Sequence, residues 1–297
     1  MPSPYLIITV EPGAVEDAEQ MGTKAKFWFR RENERWLFKE PRSNTGEHWA
    51  EKVTAEIGHL LGVPCARVEL AEFQGKRGSA SLSFADRSEG KLLIHGNELL
   101  AAVMTGYDKD KIRKQSDHTW ANILAALARL KTLEPVERAA EADMAGYIFL
   151  DALIGNVDRH HQNWGCLLHM YSEGKFRFTI APSFDHASSL GRELLAEEAE
   201  RRIIEQRVAD YVEKGRGGIY RAATDKRGAN PLALTCELAM ERPDLFAPWL
   251  ERLKQVPMES LAECIERLPE SWAALSNRRF ALEFLRHSRS RLTSLKT

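Results

Sequence analysis

Two short runs near the start of the chain, 26–29 and 35–39, are rich in apolar residues, and the polar stretch 31–34 lies between them. That pattern predicts a β-hairpin. From 46 to 61 the period changes. Trp49, Val53, Ile57 and Leu60 recur at threes and fours, which places them on one face of a helix. Gly62-Val63-Pro64 then stops it. Residues 66–72 and 79–84 predict two more strands about a turn at 75–78. A polar connector at 85–91 follows, and beyond it the pattern becomes mainly helical. Helices are predicted at 120–130, 139–154, 193–213, 232–240, 260–267 and 271–292, with strands at 164–170 and 176–181 about a turn at 172–174. The helix at 139–154 is strongly apolar and ends at Gly155 and Asn156. The chain therefore divides into a strand-rich part with one helix, 1–90, and a larger helical part, 91–297.

The candidate chemistry lies just after the apolar helix. Asp158 is followed five residues later by Asn163, and Asp185 comes 22 residues after that. The intervening hairpin would carry Asn163 and Asp185 back to the same end; without it an extended chain of that length spans tens of ångströms, at about 3.3 Å per residue. Asp-x4-Asn with a later Asp behind an apolar residue is the layout of a phosphoryl-transfer site. One Asp orients the attacking hydroxyl, and Asn plus the second Asp hold Mg²⁺ against the nucleotide phosphates. Mg²⁺ is a hard cation that takes carboxylate and amide oxygens, so the residue types fit the task.

Composition changes this picture little. The 297 residues carry a net charge of -1, with 43% hydrophobic and 29% charged residues, which gives no sign of nucleic-acid binding. The early apolar run at 5–10 is too short for a signal peptide core or a membrane span. Cys65, Cys166, Cys236 and Cys264 are far apart and form no Cys-x-x-Cys pair, which points to reduced thiols and a cytoplasmic protein.

The stretch 153–160 with Asn163, then Ala181-Pro182-Ser183-Phe184-Asp185, resembles the catalytic core of the HipA-type bacterial serine/threonine kinases, known as toxins of toxin–antitoxin pairs. Its Asp-Arg-His-x-x-Asn element is also similar to that of the phosphatidylinositol kinases. The resemblance extends over most of the chain and is sharp in these two motifs. It implies an α+β, two-lobed protein-kinase-like fold, with ATP and Mg²⁺ as cofactors, a protein substrate and a small antitoxin-like partner. Asp158 would be the catalytic residue, His160 would brace its loop, and Asn163 and Asp185 would bind the metal. Kinases also use a strand Lys to hold the α- and β-phosphates and a helix Glu to orient it. Lys39 ends an apolar strand, and Glu51, Glu47 and Glu56 compete for the second role; the resemblance favours Glu51, from its distance to the Gly-x-Pro stop. Gly22, Thr23 and Lys24 look like the short phosphate loop of the family, with Lys26 as a further donor. That loop departs from the family in having no Ser just before Gly22, which puts loop self-phosphorylation in doubt. It also lies close to the start of the chain, so the extra N-terminal subdomain of the larger HipA proteins is not expected.

Other readings weigh against these. Asp158-x-His160 and Asp185-His186 could serve a binuclear hydrolase, but of the usual metallophosphoesterase pattern only Asp-x-His and Gly155-Asn156 are present, in the wrong order. His161 is expected at the surface. The basic clusters 109–114 and 201–202 read as solvated faces. Residues 188–192 read either as the start of a segment meeting the substrate or as the lead-in to a helix. A small-molecule or lipid kinase would use the same nucleotide residues, and a pseudokinase scaffold is the alternative outside enzymes.

Overall fold

The computed structural model describes residues 2–18, 26–131, 140–171 and 175–295. Six strands form the first sheet: β1 Ile7–Val10, β2 Val15–Ala18, β3 Lys26–Arg31, β4 Glu34–Lys39, β5 Val68–Phe73 and β6 Lys76–Leu82, in the order β1-β5-β6-β4-β3-β2. Helix α1, Glu47–Leu60, lies between β4 and β5 in sequence and packs on β5 and β6. The predicted hairpin is β3–β4, closed by Glu32 and Asn33, both at positive φ, 52° and 65°. Two successive left-handed residues match the twist of a tight hairpin. The strand alternation sorts its side chains. Phe27, Phe29, Trp36 and Phe38 enter a small core with Ile8, Val10, Ala71 and Ala80. Lys26, Trp28, Leu37 and Lys39 take the opposite face, because side chains alternate with period two.

The second part holds a three-stranded sheet, β7 Lys91–His95, β8 Gly165–Met170 and β9 Phe176–Ile180, ordered β7-β8-β9. Its helices are α2 Gly96–Val103, α3 Trp120–Lys131, α4 Ala140–Ile154, α5 Ala196–Ile204, α6 Val208–Lys214, α7 Pro231–Glu241, α8 Pro243–Gln255, α9 Met258–Glu266 and α10 Leu275–Thr293. Helix α4 is the centre. Met144 to Ile154 is buried throughout, as a helix apolar on every side must be, and α3, α7, α8, α10 and β9 pack round it. The larger core is continuous from α1 residues Trp49, Val53 and Ile57 through to α4 and α10. Gly155 ends α4 at φ +67°, and a Cβ there would lie 2.1 Å from Phe284 Cζ, so both conformation and space demand glycine.

Several predictions need correction. The helix expected at 193–213 is two, α5 and α6, broken by Gln206 at φ 55°; the break lets both pack on α10. The turn expected at 75–78 is Gln74-Gly75, and β6 begins at Lys76. Leu60 is 41% exposed and Leu61 is buried in its place. Strands β1, β2 and β7 and helices α2 and α8 were not predicted. In α8 the prolines hid the pattern, yet Pro243 sits in the first turn, where a missing N–H costs little. Burial of Phe246, Trp249, Leu250 and Leu253 outweighs Pro248. The phosphate-loop residues Gly22, Thr23 and Lys24, and the turn 172–174, lie outside the described residues.

Candidate active site

The site is built on the segment leaving α4. Asp151, in its last turn, is buried and takes two hydrogen bonds from Arg159, Nε to Oδ2 at 2.7 Å and Nη2 to Oδ1 at 2.8 Å. Asn156 Nδ2 donates to the same Oδ1 at 2.9 Å, and Asn156 Oδ1 accepts the Asp158 amide at 3.0 Å. Arg159 reaches further. Its Nη1 donates to the Asn163 carbonyl at 2.6 Å and its Nη2 to Ser183 Oγ at 2.9 Å. The guanidinium holds its donors in a rigid planar fork, so acceptors from both loops are held in register at once. Asn163 closes the loop by donating Nδ2 to the Asp158 carbonyl at 2.8 Å. Gly218 backs the loop: a Cβ there would lie 2.7 Å from the Arg159 carbonyl.

The second loop carries Asp185. Ser183 pairs with the chain after α1, its amide donating to the Pro64 carbonyl at 2.7 Å and its carbonyl accepting the Ala66 amide at 2.9 Å. Ser183 Oγ lies 2.7 Å from His186 Nε2. Asp185 itself sits at φ 60°, a conformation that costs a non-glycine residue roughly 1–3 kcal/mol and gathers at functional sites.

These loops place Asp185 Oδ2 3.2 Å from Lys39 Nζ. Burial opposes the charge of each, but the pair outweighs it: Asp185 titrates below the usual carboxylate range and Lys39 above its ordinary value. Lys39 meets Asp185 rather than Glu51. Glu51 is buried, with Oε1 3.8 Å from His186 Nδ1 and Oε2 without a hydrogen-bond partner among the described residues. Burial and the Asp185 charge raise its carboxyl to about 7. Its two competitors are otherwise engaged. Glu47 binds Arg42 at 3.0 Å and Arg192 at 2.8 Å, and Glu56 binds Lys52 at 2.7 Å.

Two cavities meet at this pair. One of about 730 Å³ is lined by Trp28, Leu37, Phe84, Leu93 and Phe184 among others. The other, about 280 Å³, contains Asp158, Arg42 and Glu47 in its wall. Lys26, Lys39, His160, Asn163 and Asp185 line both. Asp158 is raised by burial and by Asp185, with His160 opposing; His160 Nε2 stands 3.9 Å from Asp158 Oδ1. Nδ1 of His160 accepts the Gln162 amide at 3.2 Å, so this histidine spans the Asp158 turn. With Nδ2 of Asn163 spent on the backbone, its Oδ1 is the atom left for a cation. An amide oxygen and a carboxylate are a partial set of hard donors, suited to an ion that draws its remaining ligands from phosphates and water. Mg²⁺ carried with a nucleotide fits them.

The surface position expected for His161 is wrong. It is fully buried, with Nδ1 2.8 Å from Tyr107 Oη, and burial lowers it to about 4. The chain turns inward at Arg159, whose charge is paired there, and His161 follows. The histidines of the hydrolase reading hold protein groups instead: His186 faces Ser183, and His160 takes a backbone amide. Sequence reasoning missed Asp151 and Arg42 as site residues, gave Ser183 no role of its own, and did not join Glu47 to Arg42 and Arg192. Asp151 had one signal, a carboxylate inside an apolar helix.

A family model described as the HipA-like C-terminal domain matches residues 18–234. Among solved structures the chain is similar to the Helicobacter pylori proinflammatory kinase CtkA, at 19% identity and a TM-score of 0.76, covering 99% of this chain and 100% of that one. It is also similar to HipA of Shewanella oneidensis MR-1, from a toxin–antitoxin complex of HipA, HipB and operator DNA. There the identity is 15% and the TM-score 0.56, over 98% of this chain and 65% of that one. No curated protein sequence matches. At these identities the structural likeness is one of fold, and the fold is the α+β, two-lobed kinase-like one.

Proposed function

The chain belongs to the HipA-like C-terminal domain family, and from that premise we propose that it is an ATP- and Mg²⁺-dependent kinase of protein serine and threonine hydroxyls. The observation that carries this reading is the Lys39–Asp185 ion pair at the junction of two cavities, with Asn163 and Asp158 beside it. The larger cavity has apolar walls for a base, and the smaller one holds Asp158 where an acceptor hydroxyl would arrive. Mg-ATP, when bound, supplies the transferable phosphoryl group and part of the charge neutralisation. Lys39 would hold phosphate oxygens, with Glu51 fixing its position. Asn163 and Asp185 would hold the metal. Asp158 would orient the hydroxyl and accept its proton, and His160 would brace the Asp158 turn. Gly22, Thr23 and Lys24 would supply donors to the phosphates. Transfer would then depend on position and electrostatics more than on covalent assistance.

We propose a lobe division at 90/91, which falls after β6 and just before β7 along the chain. The four free thiols suit a cytoplasmic setting, and among the described residues no helix is long and apolar enough to cross a membrane. The HipA of S. oneidensis is described with HipB; a small antitoxin-like partner for this chain is proposed by that analogy.

Thermal unfolding of wild type and Asp185→Asn, each with and without Mg-ATP, tests the site. A ligand at a hundred times its dissociation constant stabilises by about 2.7 kcal/mol, which is several degrees at about 2–4 °C per kcal/mol. A metal-dependent shift in wild type that is lost in the variant is expected. An equal shift in both removes Asp185 from the metal, and none in wild type removes the nucleotide.

A further inference from the structure

A separate cavity of about 420 Å³ lies in the helical lobe beside Val157, the residue before Asp158. Ser188 lines both this cavity and the smaller one that holds Asp158, so the two adjoin. The segment from Ser188 to Gly191 forms part of its wall. It is held to the catalytic loop, the Val157 amide donating to the Ser188 carbonyl at 3.2 Å and the Leu190 amide to the Ile154 carbonyl at 3.0 Å. The cavity is therefore fixed relative to Asp158.

Its chemistry is mixed in an ordered way. Val212, Leu232 and Phe284 supply buried apolar wall. Arg202, Arg207, Lys214 and Arg216 supply cations, against the single carboxylate of Glu193. Glu193 already accepts a hydrogen bond from the Tyr211 hydroxyl and lies 3.9 Å from Arg192 Nε. Arg202 and Arg207 have carboxylates of their own, Glu198 at 2.8 Å and Asp210 at 3.5 Å. Among the described residues Arg216 meets only carbonyl oxygens, those of Glu213 at 3.3 Å and Gly215 at 2.9 Å. Lys214 pairs with no carboxylate among the described residues. Ser189 adds a buried hydroxyl with no hydrogen-bond partner among the described residues. An apolar wall below unneutralised cations does not suit a small inorganic anion, which has nothing to bury. A peptide presents both kinds of group on one strand.

We propose that this cavity receives the part of the protein substrate flanking the accepting hydroxyl, and that it selects segments in which an apolar residue adjoins acidic ones. This rests on the kinase reading and narrows its substrate class. Lys214 and Arg216 would meet the carboxylates at an exposed rim, where attraction is weakened by salt.

The test uses two fluorescent peptides of equal length, each with one central Ser and a neighbouring Leu, differing only in a run of Glu or of Gln beyond it. Binding to the full chain is read by anisotropy without nucleotide, and phosphoryl transfer by label from Mg-ATP. The Glu peptide is expected to bind at least about tenfold more tightly, which is about 1.4 kcal/mol. Raising the salt should reduce that preference, and Lys214→Ala/Arg216→Ala should abolish it with an unchanged melting temperature. Lys214→Glu/Arg216→Glu should turn the preference toward Gln. Equal binding of the two peptides, or a preference that both double variants keep, overturns the proposal. Binding is read apart from catalysis: preferential binding without transfer sinks the kinase reading while the acidic-peptide site stands, and transfer to both peptides with equal KM sinks the site alone.

Discussion

Asp151→Asn isolates the device that holds both catalytic loops. The substitution keeps the shape of the side chain and removes its charge. In the native protein Oδ2 accepts from Arg159 Nε at 2.7 Å, and Oδ1 accepts from Arg159 Nη2 at 2.8 Å and Asn156 Nδ2 at 2.9 Å. An amide offers one acceptor oxygen, so whichever way it turns, at least one of those donors faces an NH₂ group. The guanidinium is 2% exposed and would lose its only carboxylate partner among the described residues. Breaking one side of a buried pair costs about 3–5 kcal/mol. At about 2 °C per kcal/mol, the low end for large domains, that is a fall in Tm of about 6–10 °C. Urea unfolding should show the same loss as a lower midpoint at constant slope. Adding Arg159→Met should recover part of it, since removing both charges costs less than stranding one. A loss below about 1 kcal/mol would refute the argument, because it would mean that Arg159 is hydrated in the native state.

Two further outcomes are expected. Glu51 has an ordinary value of 4.5 that burial and Asp185 raise to about 7. Between those values the folded protein keeps a proton that the unfolded chain has lost, so this group's contribution falls as pH rises through the window and is flat above it. Glu51→Gln should therefore gain on wild type from pH 5 to pH 8 by on the order of 3 kcal/mol, read from urea midpoints; parallel profiles would show that Glu51 ionises freely. Asp158→Asn should lower kcat by at least about 100-fold while keeping the Mg-ATP melting shift, and wild-type turnover in that variant would remove Asp158 from the proton-accepting role.

The chain pattern alone determined the strand-rich first part, the helix α1, the apolar α4 and the hairpin β8–β9, because alternation and a three-to-four period are local signals carried by neighbouring residues. It also made Asp158, Asn163 and Asp185 legible as a group, since their spacing matches one loop, one hairpin and a second loop. Strand β1 was hidden because its pairing partner β5 stands some sixty residues away, Ile7 opposite Leu70, and a short apolar run does not announce its partner. The surroundings of Glu47, Glu51 and Glu56 needed the tertiary structure: all three lie on one helix, and only the packing of α1 shows Glu47 taken by Arg42 and Arg192, Glu56 taken by Lys52, and Glu51 buried beside His186. The same holds for His161, polar in sequence yet buried. A side chain's burial depends on what other segments bring to it, here the Tyr107 hydroxyl and the inward turn made at Arg159. Pairing of polar groups in a low-dielectric interior is decided by three-dimensional proximity, and that is why the roles of Asp151 and Ser183, which meet Arg159 from two different segments, could be read only from the folded chain.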